Sequence, residues 1–597
     1  MNRRQWLHRP LLACLLAAGL TGGSAMGQSE WVDSPMYRDP DLSAAPSGVA
    51  LPDGALTLWR KALTHPSVDI RCKAAEAITR AHGLGIRGLA EAVPDLVAAI
   101  DRPDQPSPVR AAAARALVAL DAKQTAGPLW RQAMAGGTDL REVVEPALAR
   151  WGARDACEVW LERLAEPTTP HRTLILAMHG LASLREPRAA DRLRSLVLSP
   201  RTLLPVRLEA ARALAEIQSS GLEADVRTLT AATPPSLSAR LAAASLLRRH
   251  TGPDAVALLQ QLAVDPAPTV AAVAAARLLE IDVRQAAGPR DRWLASPDAT
   301  LRAYGVEVLH RHDTADSVSL LAKRLDDPHP DVRGKARRAL YERATAKGQR
   351  EKVIGEATAI LAADGWRGQE QAIILLVDLK HTPVVGRLIE LLPAARPEVF
   401  VTAAAGLRKL SDATSLAGAL TYLDAEQKRT RGGPPLPGRE HLDAALIDHQ
   451  LSQLLQLMGR HRYKPATPVI RRLLPRTGRG PYEARAAAAW AIGWIHEGDP
   501  TAGQAALLEE RLNDISSMPP EDGRVRRLCA VSLGRLRAKE SVDSLRRYMP
   551  REQRNGEPIG DACAWAVERL TGETLPVAKP RRTTLLNWFL VPTGPTP

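Results

Sequence analysis

Eleven basic residues crowd the interval from Lys428 to Arg479, and only Glu440, Asp443 and Asp448 oppose them. Cations at this density steer anions from beyond contact distance, and arginine forks hold carboxylates or phosphates by paired hydrogen bonds. Lys428, Arg429, Arg431, Arg460, Arg462, Lys464, Arg471 and Arg472 are therefore the candidate binding residues, suited to the acidic surface of another protein. Tyr463 and Tyr482 are the only aromatic side chains nearby, which gives base stacking little to work with and argues against nucleic acid. The plainer reading of such a run is a solvated, solubilising face.

Other chemistry finds fewer residues. Past the first 27 positions the cysteines are Cys72, Cys157, Cys529 and Cys563, with no C-x-x-C among them, so zinc ribbons and thioredoxin-like motifs are excluded. His310 and His312 are two apart, and His441 and His449 have Ala445 between them. Neither spacing matches the i, i+4 pair with an intervening glutamate that holds zinc on a helix. Neither a G-x-S-x-G elbow nor a phosphate-cradling glycine loop occurs, and no strand pattern would support one. The reading is a protein with no catalytic residue, metal or cofactor to assign.

The elements that would carry the basic cluster are visible in Asp326–Leu340, DDPHPDVRGKARRAL. Proline lacks an N–H and suits a helix's first turn, so this stretch ends one helix and starts another. Val332, Ala336, Ala339 and Leu340 then form an apolar helical stripe, and Val318, Leu320, Leu321 and Leu325 form its partner before the turn. One such hairpin cannot bury its own apolar surface. Equivalent positions recur at Arg240, Ala271, Arg302 and Arg333, 31 residues apart, and at looser spacing from Arg71 to Asp561. A period of this length, each unit a helical pair, specifies a solenoid. Arginine recurs at the start of the second helix, where the macrodipole disfavours a cation, so each copy is expected to have a partner, such as Asp69, Asp139 or Asp331, or turn carbonyls of the adjoining repeat.

The cores PSVDIRCKAAEAI, SPVRAAAARAL, LPVRLEAARAL and PTVAAVAAARLL resemble the HEAT-repeat family, most closely the short bacterial HEAT-like repeats of the phycobilisome lyase type. The resemblance implies an all-α, right-handed α-α superhelix, a HEAT-like solenoid of roughly 14–15 helical hairpins. It also implies a binding scaffold, with chromophore-lyase-like accessory work as a minority role. Cys529 and Cys563 fall at nearly equivalent places in successive repeats. Helix axes ~8–10 Å apart set against the ~7 Å limit between bridged Cα atoms favour free buried thiols over a disulfide.

Residues 1–27 read as a signal peptide, with Arg3, Arg4 and Arg9, an apolar run from Leu11 to Leu20, and Ala25-Met26-Gly27 for cleavage. The apolar run continues past Cys14, unlike a lipoprotein box. Residues 28–54, rich in Pro, Ser, Asp and Gly, read as a flexible linker or a loosely docked arm. HEAT-like repeats are expected over 55–423 and 441–577, separated by a basic Gly/Pro-rich loop insertion at 424–440. Residues 578–597 form a tail or cap, and Trp59 in the first helix offers the array's other end a cap.

The sequence thus describes an exported, periplasmic or extracellular, non-catalytic scaffold that binds another protein along its helical surface. Two alternatives are a polyanion-binding envelope protein and a chromophore-lyase-like accessory protein.

Overall fold

A computed structural model describes residues 31–42, 51–232, 234–346, 348–430, 433–476, 481–500, 503–549, 558–573 and 588–590. Residues 1–27, read above as a signal peptide, and the candidate Arg431 lie outside the described residues. Among the described residues there are thirty α-helices, twelve 3-10 helices and no strand. The fold is all-α and HEAT-like: helical hairpins stacked one on the next.

The hairpin at Asp326–Leu340 shows how each unit is built. A first helix at Ser317–Lys323 is extended by a 3-10 turn, and a second runs from Pro330 to Ala346. Val332, Ala336, Ala339 and Leu340 are all buried, as their spacing requires. The recurring arginine closes the hairpin. Arg333 Nη1 donates to the carbonyls of Asp327 and Pro328, at 2.8 and 3.2 Å. Arg71 does the same to His65 and Pro66, Arg302 to Ser296 and Pro297, and Arg207 to Val197. The guanidinium sits at the unfavourable start of one helix but reaches the carbonyl-rich end of the helix before it, which favours a cation. The ladder is structural, and its acceptors lie mostly in the same hairpin's turn.

The chain divides into two compact units, one of residues 51–308 with 588–590, the other of 31–42 with 309–573. In the first, Trp59, Trp160 and Trp293 are fully buried large side chains in an alanine- and leucine-rich core. Trp588 lies 5.5 Å from Trp59 ring to ring, and the Trp59 indole N–H donates to the carbonyl of Phe589. The described part of the C-terminal tail therefore covers the first helix of the array, Ala55–Ala62.

In the second unit the second helices form a row: α1 (Trp366–Asp378), α2 (Pro397–Leu410), α3 (Ala444–Arg460), α4 (Glu483–Ile495), α5 (Gly523–Leu536) and α6 (Pro558–Thr571). They approach one another more closely than the first helices do. Glycine permits it. A Cβ on Gly493 would stand 2.4 Å from Ser532 Oγ, and one on Gly534 would stand 2.9 Å from Ala566 Cα.

The break expected at Asp424 comes later, because the helix Leu416–Thr430 runs through it. Asp424 with Lys428 and Glu426 with Arg429 form ion pairs one turn apart, which support the extension. Of the following loop, Arg439 folds inward, donating to the carbonyls of Leu392 and Ala394 and lying 4.0 Å over the Phe400 ring. Among the described residues Cys72, Cys157, Cys529 and Cys563 form no disulfide, and Cys529 and Cys563 are fully buried.

Candidate peptide-binding groove

The exposed side of a solenoid's helix row is ordinarily polar and wet. The row α2–α5 instead carries polar side chains that are buried: Arg408 on α2, Gln453 on α3, and Arg527 and Arg535 on α5 are all below one-tenth exposed. Their helices bring them onto one surface, and what covers them is residues 31–42.

This arm crosses the helices in chain order. The Trp31 indole N–H donates to Asp378 at the end of α1, 2.9 Å away, and Lys409 of α2 sits 5.0 Å over its ring. The Asp33 carboxylate pairs with Arg408 and, at 3.3 Å, with Lys409. Its backbone carbonyl accepts from Arg408 at 3.0 Å and from Gln453 at 3.1 Å, while Gln453 Oε1 accepts from Arg408 Nε at 2.6 Å. A 3-10 turn, Pro35–Arg38, then buries Met36 completely and brings the Tyr37 hydroxyl to Glu483 at the start of α4, at 2.9 Å. Three side chains converge on the Asp39 carboxylate. Its Oδ2 accepts from the indoles of Trp490 and Trp494, at 2.9 and 2.8 Å, and its Oδ1 pairs with Arg535 at 2.6 Å. Arg527 donates to the carbonyl of Pro40 at 3.0 Å.

The electrostatics follow from burial opposed by charge. Burial alone would raise the Asp33 carboxyl, but Arg408 and Lys409 hold it below its ordinary value. Burial lowers the pKa of Arg408, Arg527 and Arg535, and the arm's aspartates work against that loss. Burial beside Glu483 raises the Tyr37 phenol, keeping it a neutral hydrogen-bond donor. The Arg535 guanidinium also lies 4.1 Å over Trp494, which stacks edge-on against Trp490. The arrangement holds two carboxylates, an aromatic hydroxyl and one apolar side chain along a bent peptide.

The basic cluster falls into groups when its partners are seen. Lys428 pairs with Asp424 at 2.7 Å, Arg472 pairs with the same carboxylate, and Arg429 pairs with Glu426 at 2.7 Å. Arg462 pairs with Glu497 at 2.6 Å and lies 5.6 Å from the Trp494 ring, at the rim of the groove. Arg460 is exposed at the end of α3, close enough to Arg408 to lower its pKa. Lys464 and Arg471 are exposed on the next hairpin. Among the described residues, no group of histidine, cysteine and acidic side chains could hold a metal ion.

The groove's own residues, Arg408, Gln453, Trp490, Trp494, Arg527 and Arg535, were not among the sequence candidates. One signal was available: Trp31 and Tyr37 are large aromatics in a stretch otherwise composed like a linker.

No protein-family model and no curated protein matches the chain. Among solved structures the chain is similar to Kap95p, from work on its binding to RanGDP, at 14% identity and TM-score 0.49, over 86% of this chain and 72% of that one. It is similar to Kap121p bound to RanGTP at 12% identity and TM-score 0.48, over 87% and 57%. Yeast importin-beta (Kap95p) is similar at 13% identity and TM-score 0.41, over 86% and 72%. The HEAT-like fold of this chain rests on its own stacked hairpins.

Proposed function

We propose that this chain is an exported, non-catalytic scaffold that binds another protein through the groove over α1–α5. The observation that carries the reading is that the groove already holds a peptide: residues 31–42 lie across five successive helices on buried arginines and indoles. Arg408, Arg527 and Arg535 in the floor and Arg460 and Arg462 at the rim fit a partner with an acidic surface. Export is supported by the charged, apolar and small-residue regions of 1–27. Among the described residues no helix is long and apolar enough to cross a membrane. The P-x-V-R-x-x-A-x-x-A-L cores support kinship with the short bacterial HEAT-like repeats. Polyanion binding draws less support, because Lys428, Arg429, Arg462 and Arg472 are paired with carboxylates of the chain itself.

Photo-crosslinking tests this. A photoreactive residue in place of Arg460, at the groove, and another in place of Arg172, in the other unit, are exposed to extract from the native envelope. One discrete protein adduct at position 460 and none at 172 is expected. Adducts of equal yield at both positions, or none at 460, would sink the groove as the binding surface.

A further inference from the structure

The arm satisfies its groove incompletely. Arg527 and Arg535 are each more than nine-tenths buried, yet each keeps a terminal nitrogen, Nη1, without a hydrogen-bond partner among the described residues. A buried guanidinium N–H left unpaired is unfavourable, and a further acceptor would recover that loss. The arm's grip is also mostly polar. Met36 is its one buried apolar side chain, while the Asp33 and Asp39 side chains keep 49% and 32% of their exposure. Polar contacts of this kind can be exchanged for equivalent ones, whereas interlocked apolar packing cannot.

We propose that residues 31–42 are an internal ligand, and that the groove's partner is an extended acidic segment of another protein that displaces them. This rests on the scaffold reading above. The incoming segment places one carboxylate against Arg408 and Lys409, where Asp33 lies. It places a second between Arg535 and the indoles of Trp490 and Trp494, where Asp39 lies, six residues on and past a turn. It also brings the extra acceptor that Nη1 of Arg527 or Arg535 lacks. The intact arm is part of the same chain, so it competes intramolecularly and suppresses weak partners.

The test uses the full chain from Gln28 with a protease site inserted between Leu42 and Leu51. The probe is a labelled synthetic peptide of residues 31–42, WVDSPMYRDPDL. After cutting, the probe should exchange for the arm and bind at least about tenfold more tightly than to uncut protein, because the competing tether is gone. A probe carrying Asp33→Asn and Asp39→Asn should bind at least about tenfold more weakly, having lost both charge-assisted contacts. An arm that stays bound after cutting and admits no probe, even at large excess, is a permanent part of the fold and overturns the proposal. Equal affinity for the aspartate and asparagine probes overturns the acidic recognition. The scaffold reading fails separately. An adduct at position 460 without probe exchange leaves the scaffold standing and removes displacement, while exchange without any adduct removes the partner.

Discussion

Asp39 and Arg535 are 496 residues apart in sequence and 2.6 Å apart in space. Two indole N–H groups converge on the same carboxylate, and Arg535 is 4% exposed. Asp39→Ala takes the hydrogen-bonded counter-charge from that buried cation and leaves it only the weaker influence of Glu497. The cost should be about 2–4 kcal/mol, taken from the arm's docking. Asp33→Ala should cost less, because Asp33 is more exposed and Arg408 keeps its bond to Gln453. Hydrogen exchange over residues 31–42 is the measurement: faster exchange in the Asp39 variant, with α5 still protected. Equal exchange in both variants would show that the ion pair does not hold the arm.

Glu370 gives stability a pH dependence. The side chain is 1% exposed, and Oε1 has no partner among the described residues. Burial, only partly offset by Gln371 and Arg333, pushes its pKa up to about 7, above the ordinary glutamate value. The folded state therefore keeps its proton where the unfolded chain has lost it. Stability falls as pH rises from about 4.5 to about 7, by about 3 kcal/mol in all, and then levels off. Glu370→Gln removes the penalty. It should match wild type near pH 4.5 and exceed it at pH 8, in urea titrations at the two pH values. A constant offset between the two would rule out titration of this group.

Glycine sets the spacing of α4 and α5. An alanine Cβ at Gly493 would meet Ser532 Oγ at 2.4 Å and its Cα at 2.9 Å, and backbone cannot move aside cheaply. Gly493→Ala should cost about 1–3 kcal/mol as overpacking. Gly355, inside the helix Arg350–Ala362, has nothing within 4 Å of the same position. Gly355→Ala should gain about 0.5–1 kcal/mol from helix propensity. Denaturant midpoints moving in opposite directions would confirm the pair.

The hairpins were legible because everything that makes them is local. The stripe Val332, Ala336, Ala339, Leu340 and the arginine that reaches its own turn at Asp327 and Pro328 lie within a few residues of one another. Where the arm docks was not, because Trp31, Tyr37 and Asp39 find their partners 347 to 496 residues away. Pro-, Ser- and Asp-rich composition reports that a segment lacks a regular element; it does not report whether the segment is docked. The pairing within the basic cluster was hidden for a related reason. Asp424 and Glu426 lie just before Lys428, and Glu497 lies after Arg479, so a window on the cations excluded the carboxylates that pair with them.

Asp424 decides whether that cluster binds anions at all. Its carboxylate holds Lys428 at 2.7 Å and Arg472 on the other oxygen, and Lys428 is the main reason its pKa lies below the ordinary value. Asp424→Asn removes one negative charge from beside two cations at once. Both pairs are exposed, so the variant should lose less than about 1 kcal/mol of stability. Its elution from a heparin column should move to higher salt, because each additional phosphate- or sulfate-neutralising contact steepens the salt dependence. A matching shift in capture of the native partner would place the 428–472 surface in the interface. Later elution from heparin with unchanged partner capture would confine recognition to Arg408, Arg527 and Arg535 and make the surrounding charge a solubilising face.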